Sequence, residues 1–184
     1  MPDLSTHLRA MARYNRWANR RVYDLAAALP DEDYRRPVGV FFGSLHGTLN
    51  HLLVTDRLWM GRFVGASAAG TKLNAILFDS LPDLRAARER EDERIIAHVE
   101  GLSPAAVEAD FEYATTSGKP QRQPRWEALA HLFNHQTHHR GHAHAALTSL
   151  GGPEPPPFDL LVFQREAARA AAATTAAPSP PSRA

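Results

Sequence analysis

One short stretch of the chain holds most of its histidines, whose imidazoles can bind a metal ion. Six of the ten histidines fall between residues 131 and 144: His131, His135, His138, His139, His142 and His144. Histidines four residues apart on a helix lie on one face, about one turn apart, and can chelate a single ion. Three pairs have this spacing: 131 with 135, 135 with 139, and 138 with 142. The stretch therefore predicts a metal site.

The apolar side chains of the same stretch distinguish among these pairs. At about 100° per residue they form a stripe on one side of a helix. The members of this stripe are Ala128, Leu129, Leu132, Ala143, Ala146, Leu147 and Leu150. His139 lies about 30° and His135 about 70° from the centre of the stripe. Farther away, at about 110° or more, are His131, His138 and His144. The pair predicted to face a protein core is therefore His135 and His139.

Two imidazoles are rarely enough to hold an ion, so a third ligand has to come from another helix. The chain has no cysteine, which leaves nitrogen and oxygen ligands. His46 and His51 are the candidates on the second long helix. His46 lies closer to the main apolar side of that helix, but the helix is apolar nearly all round. Periodicity therefore leaves both histidines open as the third ligand.

Four amphipathic helices are predicted to position these histidines. Their predicted bounds are about 4–29, 44–65, 80–102 and 124–150. Ser44 is a good N-cap, Ser80 with Asp83 resembles a capping box, and Pro124 suits the first position of a helix. The third helix is rich in Arg and Glu, which is typical of a solvated face with ion pairs at helical spacing.

The segments between and after these helices complete the predicted architecture. Residues 65–80 are predicted to form a long connection, and residues 107–124 a short extended segment that could close a small hairpin. A short last helix is expected from about residue 158 to 172. Residues 173–184 lack apolar bulk and are predicted to be a disordered tail. The sequence thus predicts an all-α domain over residues 1–172, a helical bundle in which some sequence neighbours are not antiparallel.

The composition narrows the classes of partner. The formal net charge is +1, from 21 basic and 20 acidic residues, so no overall field would hold nucleic acid or a lipid surface. We therefore expect neither nucleic acid nor a membrane as a partner. The N-terminal segment lacks the continuous apolar stretch of a signal peptide, which favours a cytoplasmic location.

Several motifs together resemble the DinB-like family, which includes YfiT-type metal-dependent proteins. On the first two helices these are Tyr14-Asn15-Arg16-Trp17-Ala18-Asn19, Leu49-Asn50-His51-Leu52 and Asp56-Arg57-Leu58-Trp59. On the fourth helix the motif is Asn134-His135-Gln136-Thr137-His138-His139-Arg140-Gly141, and Asp159-Leu160-Leu161 follows near the end. The resemblance covers the chain to about residue 166, and its histidine-Arg-Gly signature is the most specific part.

The resemblance implies an up-down-down-up four-helix bundle, often a homodimer, with a three-histidine metal site. Carried over position by position, the ligands are His51, His135 and His139, so the family favours His51 over His46. Three imidazoles leave room for water, as expected of a catalytic ion. The ion would be one divalent transition metal, for which nickel, zinc, iron and manganese are all chemically suitable.

Two functions fit these expectations. The first is a metal-dependent enzyme that acts on a small molecule by thiol transfer or hydrolysis, because the wider superfamily includes transferases and isomerases that use low-molecular-weight thiols. The second is a metal-binding sensor or dimeric scaffold without catalysis. Asp56 and Asn15 could orient a substrate, although a structural role is the simpler interpretation of both. Arg140 could contact an anionic substrate or form an ion pair at the surface or in a dimer.

Overall fold

The computed structural model describes residues 3–66, 69–151 and 155–175. Over these ranges the chain forms four long helices, three shorter ones and one hairpin. The elements are α1 (Leu4–Ala27), α2 (Asp31–Arg35), α3 (Leu45–Phe63), α4 (Leu81–Gly101), α5 (Pro104–Glu108), β1 (Asp110–Ala114), β2 (Pro120–Pro124), α6 (Arg125–Ser149) and α7 (Leu160–Thr175). The predicted all-α class, the short C-terminal helix and the small hairpin are confirmed. Of the tail predicted for residues 173–184, residues 173–175 instead belong to α7, and the rest lies outside the described residues.

Local capping chemistry sets where the long helices begin. Ser44 Oγ accepts from the Gly47 N–H at 3.1 Å and starts α3, as predicted. Ser80 Oγ likewise accepts from the Asp83 N–H at 3.2 Å and starts α4. Pro124 lies one position earlier than predicted, because it is the extended residue before α6 and also ends β2. Proline suits this junction because it fixes φ and has no N–H to leave unpaired.

The direction of each long helix follows from its side-chain contacts, beginning with α1 and α4. Arg13, early in α1, pairs with Glu100 near the end of α4 at 2.7 Å. Asp24, late in α1, pairs with Arg85 near the start of α4, also at 2.7 Å. Residue numbers rise along α1 as they fall along α4, so these two helices are antiparallel.

The contacts of α3 give the rest of the topology. Asp56 pairs with Arg88 of α4, and two to three turns later along both helices Phe63 stacks on His98, so α3 and α4 are parallel. Against α6 the order reverses, because His51 meets His139 while Trp59 meets His131. The four long helices therefore run up, down, down and up, as the family resemblance implied. α1 and α3 each pack against both α4 and α6 and face each other diagonally.

The core has two apolar clusters at opposite ends of the bundle. The first contains Leu8, Trp59, Phe63, Ile95, Val99, Phe111, Leu129 and Phe133 among others, and β1 of the hairpin closes it. The second contains Val22, Tyr34, Leu49, Leu53, Leu84, Ala143 and Leu147 among others. Between them lies a layer of buried polar side chains, which we call the polar layer: Asn15, Asn19, Asp56, Arg88, Asp92, Gln136 and Arg140.

The polar layer corrects one prediction about the third long helix. Its charged residues were expected to form a solvated face, and several do: Arg85, for example, is 35% exposed and pairs with carboxylates of α1 and its own helix. Arg88 and Asp92, however, are 1% and 2% exposed. They lie on the buried side of α4, next to Leu84 and Ile95. The pattern of charges in the sequence does not show which charged residues of this helix are buried.

Three smaller features complete the fold. The short helices α2 and α5 were not predicted, since a single turn has no hydrophobic period to detect. The hairpin pairs antiparallel from Asp110 opposite Pro124 to Ala114 opposite Pro120. Within the described ranges, no helix combines the length and apolar character that crossing a membrane requires.

Candidate metal centre

Three histidines from two helices converge at one side of the bundle. His51 comes from the middle of α3, and His135 and His139 come from successive turns of α6. One nitrogen atom from each ring lies within 4.8 Å of the other two, and this group could hold a metal ion. The ring centroids of His139 lie 4.4 Å from those of both His51 and His135. The structure thus brings together all three predicted ligands, which we call the triad; that they bind metal stays a prediction.

His51 is fixed in the orientation that a metal ligand needs. It is 3% exposed, and its Nδ1 lies 2.7 Å from the carbonyl oxygen of Leu73 in the connection before α4. A carbonyl only accepts, so Nδ1 carries the proton and Nε2 keeps its lone pair. Nε2 is buried and has no hydrogen-bond partner within the described parts of the chain. A buried, unpartnered imidazole nitrogen beside two other imidazoles fits a divalent transition metal.

A tight turn before α3 supplies a wall of the triad. The ring of Phe42 stacks on His51 at 3.7 Å between centroids and lies 5.4 Å from His139. This turn approaches α3 so closely that a Cβ on Gly47 would lie 2.2 Å from the Phe42 carbonyl oxygen. Glycine at position 47 is therefore required for the observed position of Phe42.

The three imidazoles are held in the neutral form that binds metal. Burial, together with a smaller effect of the neighbouring histidines, lowers the pKa of His135 to about 4 and that of His139 to about 3. Burial also lowers the pKa of His51. An imidazole whose pKa lies below neutrality carries a free lone pair at pH 7. The triad is therefore ready to accept a cation without first losing protons.

The other candidate for the third ligand, His46, lies away from the triad. It is 8% exposed, its Nε2 lies 3.2 Å from the Phe78 carbonyl, and its ring packs edge-on against Tyr34 at 5.1 Å. These contacts place it in the second apolar cluster. The helical period favoured His46 because His46 faces the apolar core. The core around His46 is formed by Tyr34 and Phe78, however, and it is His51 that faces α6.

The polar layer lies beside the triad and contains two acids and two arginines. Arg88 forms ion pairs with Asp56 at 2.7 Å and with Asp92 at 3.0 Å. Burial raises the pKa of Asp56 to about 6, while Arg88 acts in the opposite direction. Asn19 also donates to Asp92, at 2.9 Å. These contacts hold α1, α3 and α4 in one register, so Asp56 has a structural role.

Gln136 and Arg140 connect this layer to the histidine helix. The Gln136 side-chain amide donates to Asp56 and, at 3.1 Å, to the carbonyl of Leu52, which follows His51 in the chain. Arg140 is 2% exposed and donates to Asn15 and to Asn19, the latter at 3.2 Å. The surface ion pair suggested for Arg140 is thus excluded, and Asn15 is the hydrogen-bonded core amide that the sequence suggested.

Two further features were not found from the sequence. His138, His139 and His142 form a second group of three histidines whose ligand nitrogens lie within 4.8 Å of one another. The i,i+4 spacing of His138 and His142 is evident in the sequence, but the apolar stripe of the helix indicates only the inward pair. The second feature is a cavity of about 750 Å³ between α1, α6 and the segment before α7, and no residue of the triad lines it.

Comparisons with known proteins agree with the motifs. The sequence model of the DinB family matches residues 2–175 of this chain. The chain is similar to Protein DinB of Bacillus subtilis (strain 168), with 25% identity over 164 residues that cover 85% of this chain and 94% of that protein. No solved structure matches the chain significantly.

Proposed function

Because this chain belongs to the DinB family, we propose that it is a metal-dependent enzyme acting on a small molecule, with one divalent ion on His51, His135 and His139. One observation carries the proposal: the triad has a buried lone pair on His51 Nε2 that no hydrogen bond in the described chain uses. A lone pair left unpaired in a buried site costs stability, and a cation would offset that cost.

The ligand set suits a catalytic ion better than a structural one. Structural zinc sites usually have four protein ligands, whereas catalytic sites have three and keep a position open for water or substrate. A divalent ion here would act as a Lewis acid that lowers the pKa of a bound water or thiol. Nickel, zinc, iron and manganese all accept imidazole, and the ligands do not select among them.

The residues around the triad orient its rings, cover one side of it and leave another side open to a substrate. Leu73 fixes the His51 ring through its carbonyl, and Phe42 covers one face of it. His135 is partly exposed, so a small substrate would reach the site along α6. An apolar substrate carbon or a thiol carrier would find apolar surface beside the triad, since Phe41 is 80% exposed and Leu73 is 42% exposed. We expect thiol transfer or hydrolysis as the reaction type.

We also propose that the protein is a homodimer. The support is family resemblance together with exposed apolar side chains in the turn before α3 and in the connection before α4, namely Phe41, Leu73, Ile76 and Leu77. A second copy covering this surface would bury them and could also narrow access to the site. Sedimentation equilibrium should give twice the chain mass; a monomer at micromolar concentration would contradict this part of the proposal.

The first experiment measures metal in purified protein. We expect close to one ion per chain in the wild type and a loss of most of it in His51→Ala and in His135→Ala. His46→Ala is the matched control, since it also removes a buried α3 histidine but should keep the ion. Loss in His46→Ala with retention in His51→Ala would contradict the site.

The second experiment tests catalysis. The metal-loaded protein is incubated with a panel of electrophiles and low-molecular-weight thiols, and with a panel of esters and amides. We expect turnover that disappears in His135→Ala and after chelation. One observation favours a second function, a metal-binding sensor or scaffold: no residue of the triad lines the 750 Å³ cavity. Tight metal binding without turnover, and without a water that exchanges on the ion, would support that second function.

A further inference from the structure

The outer face of α6 carries a second histidine group that the proposed function does not use. His138 is exposed and His142 is partly exposed, with ring centroids 4.6 Å apart. Nδ1 of His142 lies 3.2 Å from Nδ1 of His139. His139 is therefore a member of two groups, the triad on one side and this outer group on the other.

The nitrogen spacing of the outer group matches a chelate. Two imidazole nitrogens bound to a tetrahedral ion at about 2.0–2.1 Å lie about 3.3 Å apart. The observed 3.2 Å between the His139 and His142 nitrogens is close to that separation without any movement of the rings. His138 follows at the spacing of a helical pair, four residues before His142, and its ring lies 4.7 Å from that of His139.

We propose that His138, His139 and His142 form an outer divalent-metal site, which takes up an ion from solvent and passes it to the triad through the shared ligand His139. This proposal rests on the proposed function, because the triad is the destination of the ion. Exposure falls along the route: His138 is exposed, His139 is 8% exposed and His51 is 3% exposed. The ion is thus dehydrated in steps, each with an imidazole to replace lost water.

Sharing His139 makes the two sites unequal. A neutral imidazole has one lone pair, so His139 binds one ion at a time. When the triad is filled, the outer site keeps only His138 and His142, and two histidines with water ligands bind an ion weakly. When the triad is empty, all three outer ligands are available. Uptake is therefore favoured in the apoprotein, and the filled protein holds its second ion loosely.

The experiment titrates zinc into chelator-treated protein against a chromophoric zinc indicator and follows loading by stopped flow. The variants are the double substitution His138→Gln and His142→Gln, each single substitution, and His144→Gln as the matched control. His144 lies on the same helix but belongs to neither group. Far-UV circular dichroism and thermal melting of each apoprotein show whether the variant is folded. His138 is exposed, so His138→Gln should fold even if the other substitutions destabilise the protein.

We expect one tight and one weak equivalent of zinc in the wild type and in His144→Gln. The double variant should keep the tight equivalent, lose the weak one and fill the triad about tenfold more slowly, because ligands at the mouth of a site raise the local ion concentration and the on-rate. A wild type with a tight equivalent but no weak one would overturn the proposal, and so would unchanged loading in the double variant. Absence of the tight equivalent from every protein would instead contradict the triad.

A positioning role for His142 predicts a different pattern. If His142 only accepts a hydrogen bond from His139, His142→Gln should weaken the tight equivalent by about 10–100-fold, as loss of such a partner does at other metal sites. His138→Gln should then change nothing. That pattern would also overturn the outer site.

Discussion

The polar layer gives a quantitative prediction for Arg88→Met. The Arg88 side chain is buried between Asp56 at 2.7 Å and Asp92 at 3.0 Å, and methionine fills a similar volume without the charge. The change leaves two buried carboxylates without their shared cation. Removing one partner of a buried ion pair costs about 3–5 kcal/mol. We therefore expect the free energy of unfolding to fall by about that amount, a large part of the stability of a domain of this size.

Arg85→Met is the matched control for this prediction. Arg85 lies on the same helix and also contacts two carboxylates, Asp24 at 2.7 Å and Glu89 at 3.1 Å, but its side chain is 35% exposed. Solvent screens such pairs, so the substitution should cost about 0–1 kcal/mol. Urea unfolding of the chelator-treated proteins at pH 7, followed by far-UV circular dichroism, measures both values.

The pH dependence tests the mechanism of the loss. The pKa of Asp56 in the folded protein is already raised to about 6 by burial, with Arg88 lowering it. Without Arg88 the pKa should rise further, so the folded variant takes up protons that the unfolded chain does not bind. Acidification from pH 7 to pH 5 should therefore shrink the stability difference between the variant and the wild type. Equal costs for Arg88→Met and Arg85→Met, or a difference that grows on acidification, would refute this reasoning.

Two further predictions concern the triad and its wall. Burial depresses the pKa of His135 to about 4 and that of His139 to about 3 in the folded protein, whereas histidine in the unfolded chain has a pKa of about 6.5. Their contribution to the free energy of unfolding is therefore complete above about pH 6.5 and is lost as the pH falls towards the folded-state pKa values. Acid should therefore release the metal and lower the melting temperature of the apoprotein. At pH 7, saturating metal should raise the melting temperature of the protein by mass action. Identical melting temperatures of chelator-treated and metal-loaded protein at pH 7 would contradict the site. Gly47→Ala should cost about 1–3 kcal/mol in urea unfolding and weaken metal binding, because the new Cβ displaces Phe42. Gly141→Ala, where a Cβ meets nothing within 4 Å, should instead be neutral or stabilise α6; equal losses in the two variants would contradict the close approach.

Features fixed by nearby residues were the ones that could be predicted from the sequence. The caps at Ser44 and Ser80 depend on a hydroxyl and an N–H three residues later, so a short motif identifies them. His135 and His139 share a face because of helix geometry alone. The choice of His51 over His46 required the family resemblance. It depends on which side of α3 packs against α6, and the sequence of α3 alone does not give this.

Features that depend on packing between distant segments could not be predicted. Arg88 and Glu89 are adjacent and both charged, yet one is 1% exposed and the other is exposed, and only the position of α3 and α1 decides between them. The carbonyl that fixes His51 belongs to Leu73, in a connection without any periodicity. The outer histidine group could not be predicted for a related reason: His138 is exposed, and an apolar stripe marks only the side of a helix that faces the core.

The order of the helices around the core has a consequence for how the chain is made. α1 and α3 leave the ribosome before α4 and α6, yet each packs mainly against these two later helices. α1 and α3 therefore cannot form a lasting pair with each other, and the apolar faces that α4 and α6 cover stay exposed until those helices emerge. The triad is completed later still, because His139 must leave the exit tunnel before it can meet His51. Metal uptake should thus follow synthesis, and a nascent chain arrested before α6 should bind no ion and depend on chaperones.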